Sequence, residues 1–176
     1  MKQVLKAAVC FLLFGCSIAG TPAQPFKTGG HYTHADTLRG TYGAGRDWWD
    51  VLKYDLHVTF NIPDSSIAGY NIIQLKALKK GDLMQIDLQE PMVLDRYYFN
   101  FDKPLLTEYG DGLQKQNISK DGNAYFIKVP AAYASAGPGK KIYLTVYYHG
   151  KPRVAKRPPW DGGLIWRKDR NKNPWV

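Results

Sequence analysis

The sequence predicts an all-β fold, an antiparallel β-sandwich or barrel-like sheet. Three observations carry that expectation: stretches in which apolar and polar residues alternate with a period of two, turn signals separating them at roughly 8 to 12 residue intervals, and no long helical pattern between them. The 176 residues leave room for a leader and one domain with its own core. With 44% hydrophobic, 14% aromatic and 22% charged residues, the chain is far from disordered or collagen-like compositions.

Residues 1–20 have the layout of an export signal. Lys2 and Lys6 precede an apolar run from Ala7 to Phe14, and small residues follow at Gly15, Ser17, Ala19 and Gly20. The run is too short for a permanent membrane-spanning helix. Two cleavages remain open. An ordinary signal peptidase would cut near Ala19, Gly20 or Ala23, whereas a lipobox-like Leu13-Phe14-Gly15-Cys16 would end the leader at residue 15 and leave Cys16 lipidated. The expected location is exported: periplasm, cell envelope or medium, with membrane contact only through a lipid on Cys16. Cys10 and Cys16 are the only cysteines, so the mature domain has no disulfide and no thiolate chemistry, and must rest on its core.

Residues 21–47 read as an irregular approach segment, with Gly29, Gly30, Gly40, Gly43 and Gly45 and no sustained apolar period. His31 and His34 have a spacing that would suit a metal on a helix, but glycine-rich surroundings predict no helix to hold them. Exposed histidines are the expectation.

The domain proper is expected over 48–176. Tyr54, Leu56, Val58 and Phe60 alternate with Asp55, His57 and Thr59, so the first set should face the core and His57 the solvent or a rim. A turn over 61–66 feeds a second run in which Ile67, Gly69, Asn71, Ile73, Leu75 and Ala77 share a face, and the two form a hairpin. Gly69 inside a strand marks a bulge or a close backbone approach. After the turn Lys79-Lys80-Gly81-Asp82, residues Met84, Ile86 and Leu88 alternate with Gln85, Asp87 and Gln89 until Pro91. Met92 to Phe101 is a further apolar stretch. Gly110-Asp111-Gly112 and Asp121-Gly122-Asn123 bracket a strand from Leu113 to Ser119, and both brackets are hairpin signals. Tyr125 to Val129 is a short half-buried strand, and Ala131 to Ala136 makes one helical turn.

In the stretch from Lys141 to His149, Ile142, Leu144, Val146 and Tyr148 alternate with Tyr143, Thr145, Tyr147 and His149. Bulk on both faces predicts a central strand or one that contacts another domain. Gly162 to Arg167 reads as a strand, Lys168 to Asn173 as a turn, and Pro174 to Val176 as the start of the returning strand. An apolar end in mid-strand leads us to expect further residues after Val176.

The formal charge of +9 raises nucleic-acid binding. The excess is spread out, however, with local concentrations only at Lys79-Lys80, at Lys140-Lys141 and from Lys151 to Lys172, where turns and loops are expected. A solvated or interdomain face is the reading, with no nucleic acid as partner.

Motifs that would carry chemistry are missing from the sequence. His31, His34, His57 and His149 are followed by Tyr32, Ala35, Val58 and Gly150, so no His-Glu-x-x-His helix exists. There is no Gly-x-Ser-x-Gly elbow and no phosphate-cradling glycine loop. Asp47 with Asp50, or Glu108 with Asp111, are the nearest carboxylate pairs for glycosidase chemistry. Asp47 and Asp50 flank Trp48-Trp49, where a structural role outweighs a sugar platform. Trp160, Trp166 and Trp175 suit either a carbohydrate surface or burial against a neighbour, and burial is the commoner fate of dense indoles. The site list is therefore empty: no catalytic, metal or substrate-binding residue is assigned, and no cofactor is expected in this chain.

Three stretches, Trp48-Trp49-Asp50-Val51-Leu52-Lys53-Tyr54-Asp55-Leu56, Ile67-Ala68-Gly69-Tyr70-Asn71 and Gln85-Ile86-Asp87-Leu88-Gln89, resemble the opening strands of aminopeptidase N-type zinc metallopeptidases. Tyr147-Tyr148-His149-Gly150-Lys151-Pro152, then Arg157-Pro158-Pro159-Trp160-Asp161-Gly162-Gly163 and Asn173-Pro174-Trp175-Val176, resemble the strand, Pro-rich loop and hairpin that close that domain in exported bacterial members. Order and spacing over 48–176 make the resemblance. It implies a saddle-like amino-terminal β-domain that packs on a thermolysin-like catalytic domain, and a full-length protein that uses zinc to remove amino-terminal residues from peptides. The zinc ligands, the base and the exopeptidase motif would all lie further along the chain. The rival reading is a free-standing cell-surface β-sandwich that binds carbohydrate through exposed tryptophans.

Overall fold

The computed structural model describes residues 31–106, 117–158 and 160–176. The export signal, Cys10, Cys16 and the pair Glu108 and Asp111 lie outside the described residues.

A short helix precedes the sheets. Helix α1 (His34–Gly40) opens on Thr33, whose Oγ1 accepts from the Asp36 backbone N–H while the Asp36 carboxylate accepts from the Thr33 backbone N–H. This reciprocal capping satisfies helix-end donors that would otherwise be orphaned. Residues 21–30 of the irregular segment expected over 21–47 lie outside the described residues, and within the rest His34–Gly40 is helical instead: local hydrogen bonding at Thr33-x-x-Asp36 outweighs the nearby glycines, although α1 buries none of its residues.

Antiparallel strands make up the rest. Strands β1 (Trp49–Asn61) and β2 (Ser66–Ala77) form the expected hairpin, with Asn61 opposite Ser66. Strand β3 is Leu83–Asp87 and β4 is Val93–Asn100. Strands β5 (Ile118–Asp121) and β6 (Ala124–Lys128) are joined by the two-residue turn Gly122-Asn123. One helical turn, α2 (Ala131–Ala134), leads to β7 (Lys141–Gly150), and a short ribbon pairs β8 (Arg167–Lys168) with β9 (Pro174–Trp175).

Beside that ribbon stand two larger sheets, a four-stranded one in the order β1-β2-β7-β4 and a three-stranded one in the order β3-β6-β5. Strand β7 lies between β2 and β4, the central position that bulk on both its faces predicts. The core sits between the sheets. Ile73, Leu75 and Ala77 of β2, Leu94, Tyr97 and Phe99 of β4, and Ile142, Leu144 and Val146 of β7 meet Met84 of β3 and Tyr125 and Ile127 of β6, with Trp48 closing one end. This is the all-β antiparallel sandwich of the sequence reading.

Three expectations need correction. Of the strand expected from Leu113 to Ser119, residues 113–116 lie outside the described residues; the described strand begins at Ile118 and runs on past Ser119 to Asp121. Gly162 to Trp166 is not a strand apart from a single parallel bridge between Val154 and Leu164. Gly162 and Gly163 have φ of +64° and +114°, and that left-handed backbone turns the chain out of a pleat. The third correction, the burial of β1, defines the candidate site.

Candidate docking surface

Register decides which side chains of the large sheet share a face. Leu56 of β1 stands opposite Asn71 of β2, which stands opposite Val146 of β7, which stands opposite Tyr97 of β4. Tyr54, Ile73, Leu144 and Phe99 make the next row on that side. Tyr54, Leu56, Val58 and Phe60 therefore project to the same side as the core, as their alternation predicts. They are not buried. Tyr54 is 58% exposed, Leu56 62%, Val58 36% and Phe60 45%, whereas Ile73 and Leu144 in the same rows are sealed. The cause is a mismatch of lengths. Strand β1 has 13 residues, while β3, β6 and β5 have 5, 5 and 4, and the short sheet roofs only part of the long one.

The rim of this uncovered strip is built from the hairpin and the ribbon. Phe60 meets Trp166 edge to face with centroids 6.4 Å apart. Ile62, Pro63 and Ser65 from the β1–β2 turn line a cleft with Trp166, Pro174 and Trp175. Arg167, Lys168 and Lys172 border it, giving the strip a cationic edge. Gly69 sits beneath. A Cβ there would fall 1.9 Å from the His57 carbonyl oxygen, which also accepts a 3.1 Å hydrogen bond from Tyr148 Oη. The close backbone approach expected at Gly69 is therefore present.

The opposite side of the sheet is polar and aromatic. His57, Tyr70, Tyr147 and Arg96 form one cross-strand row through all four strands. His57 stacks on Tyr70 at 4.3 Å, Tyr70 lies 5.5 Å from Tyr147, and the Arg96 guanidinium lies 3.8 Å above the Tyr147 ring.

The described histidines are spread apart. His34 Nε2 lies 2.7 Å from Asp121, His57 Nε2 lies 3.2 Å from Asp55, and His149 Nδ1 lies 2.6 Å from Asp95. His31 precedes α1 and His34 opens it, so they do not sit one turn apart on a helix face. Among the described residues no group of three or more His, Cys, Asp or Glu could hold a metal ion. The donor set does not fit zinc.

Trp48 is buried, and its indole N–H donates to the Leu83 carbonyl at 2.6 Å. Trp49 packs against the core and donates to the Gly45 carbonyl at 2.9 Å. Both serve structure, and Asp47 is engaged by Lys79 at 2.8 Å. Trp160 and Trp175 are exposed in this chain, and Trp166 is half-buried. Their loop and ribbon have no second layer among the described residues. Three carboxyl groups titrate below their ordinary range. Asp36 is held down by the Thr33 hydroxyl and backbone N–H, and Asp64 by a hydrogen bond from Lys151. At Asp161 desolvation pushes upward but is outweighed by backbone N–H groups, that of Lys156 foremost. Burial raises the Tyr97 and Tyr148 phenols.

No family model matches the sequence, and no curated protein matches it. Solved structures do. The chain is similar to an M1 zinc metallopeptidase from Deinococcus radiodurans, with 18% identity over 63% of this chain and 22% of that one and a TM-score of 0.46. It is similar to a mutant of that enzyme bound to a Tyr-Ser-Ala substrate, with 17% identity over 71% of this chain and 25% of that one and a TM-score of 0.47. It is also similar to native leukotriene A4 hydrolase from Saccharomyces cerevisiae, with 17% identity over 73% of this chain and 18% of that one and a TM-score of 0.46. The likeness is one of fold, and the chain spans a quarter or less of the length of these matched proteins.

Proposed function

We propose that this chain is the non-catalytic amino-terminal β-domain of an exported zinc metalloaminopeptidase. The observation that supports this best is the uncovered row Tyr54, Leu56, Val58 and Phe60, a strip on the core side of β1 that needs an apolar neighbour. The motif order of the sequence points to the same reading. In the full-length protein the neighbour is a thermolysin-like catalytic domain. The chain supplies one wall of its cleft and an interface that stabilises both parts.

The full-length activity is removal of amino-terminal residues from peptides, and zinc there supplies a polarised water. The described residues here do not fit that metal, so no step of the chemistry is assigned to them. The leader delivers the protein out of the cytoplasm, and Cys16 decides whether a lipid holds it at the membrane.

Sequencing the transcript past the Val176 codon tests the proposal. A segment encoding His-Glu-x-x-His with a downstream glutamate is expected. A stop codon in intact genomic sequence, together with glycan binding by the purified chain, would replace it with the carbohydrate-binding reading.

A further inference from the structure

Strand β1 lies at the outer edge of the four-stranded sheet. A free edge offers unpaired backbone donors and acceptors to any extended segment, and proteins blunt such edges with bulges, prolines or brevity. Among the described residues, the other edges of the two larger sheets are blunted. Strand β4 has a register break between Leu94 and Arg96, β5 has only four residues, and the β3 edge is engaged where the Gln85 N–H donates to the Gly45 carbonyl at 2.9 Å. Strand β1 contains no proline; it too has a register break, between Val51 and Lys53, but beyond it the register runs unbroken from Lys53 to Asn61, longer than the Arg96 to Asn100 stretch left to β4.

The order of side chains along that stretch is self-complementary about Leu56. When a second copy is laid antiparallel with Leu56 opposite Leu56, Tyr54 meets Val58 on the core side. On the other side Asp55 meets His57 and Lys53 meets Thr59. Each like-charge clash is avoided and the Asp55–His57 contact occurs twice. Shifting the register to centre on Asp55 would set two Asp55 carboxylates face to face, and centring on His57 would oppose two imidazoles. Asp55 and His57 are both about half exposed, with side-chain exposures of 44% and 47%, so neither is committed to the interior.

We propose that β1 pairs edge to edge with β1 of a second copy of this chain, in an isologous two-fold dimer centred on Leu56. The two four-stranded sheets become one continuous sheet, and the two exposed rows merge into a single apolar strip. The pairing uses the edge of β1 rather than its face. It does not depend on the peptidase reading, and the merged strip remains open to a further domain.

The test combines mass, charge and cross-linking. Sedimentation velocity on the purified chain should show a concentration-dependent dimer. Asp55→Lys should weaken it about tenfold or more, by placing Lys opposite His57 at both contacts, and the double variant Asp55→Lys, His57→Asp should restore it. In a Cys10→Ser, Cys16→Ser background, Leu56→Cys should oxidise readily to a covalent dimer, because facing strand residues lie within disulfide range. Thr59→Cys, which this register holds away from its own copy, should not. A monomer at all concentrations would overturn the proposal. So would association that ignores the charge at Asp55, or cross-linking at Thr59 in preference to Leu56. None of these outcomes bears on whether a metallopeptidase segment follows Val176.

Discussion

At the scale of single residues, the structure turns on a few atoms with no room to move. Gly69 is the tightest. Gly69→Ala would drive a methyl into the His57 carbonyl and displace the Tyr148 hydrogen bond, at a cost of about 1–3 kcal/mol read by urea denaturation. Val146 faces the core from the central strand, opposite Asn71 and Tyr97. Val146→Asp should cost about 3 kcal/mol or more by burying an unpaired charge, and thermal melting should show a largely unfolded chain at room temperature. Gly69 was legible as a special position because glycine is disfavoured inside a strand. The carbonyl that forbids a side chain there comes from the neighbouring strand and belongs to three dimensions.

At the scale of elements, helix α1 is held by its cap and by contacts from outside, among them the Gln85 amide donating to the Leu38 carbonyl, the Arg46 guanidinium donating to the Arg39 carbonyl, and His34 beside Asp121 at 2.7 Å. It buries nothing of its own. Thr33→Ala should therefore fray the helix, at a local cost of about 1 kcal/mol visible as faster amide exchange, while the global melting temperature scarcely moves. Acid acts on the same cap. Because the Asp36 pKa is lowered in the folded chain by its bonds to Thr33, its contribution is present above the ordinary carboxylate range and is lost as pH falls through the depressed value. Protection of the Asp36 and Thr37 amides should accordingly drop on acidification. The sequence did hold the signal for α1, in Thr33 followed three residues later by Asp36, but the surrounding glycines masked it. Strands β2 and β7 were legible because their alternation coincides with burial. Strand β1 was only half so, because a period of two identifies a face but carries no information about the length of the layer that will cover it.

At the scale of the whole molecule, the residues from Tyr32 onward form one compact unit with a complete core at one end of a long sheet and an unfinished apolar surface at the other. The sandwich and its order of strands could be anticipated from turns and alternation, since both are local. What no local pattern could supply was the candidate site, which exists because a 13-residue strand outruns a sheet of 4 to 5 residue strands. The most direct measurement of that claim is hydrophobic-dye fluorescence on the purified chain and on a Leu56→Lys, Val58→Lys variant, with each melted in parallel. The account predicts strong dye binding by the parent, a large loss of signal in the variant, and, at concentrations low enough for both to be monomeric, melting curves within about 0.5 kcal/mol of each other, as for solvent-facing positions. A dye-silent parent, or a variant that unfolds, would show that β1 is already covered and contradict it.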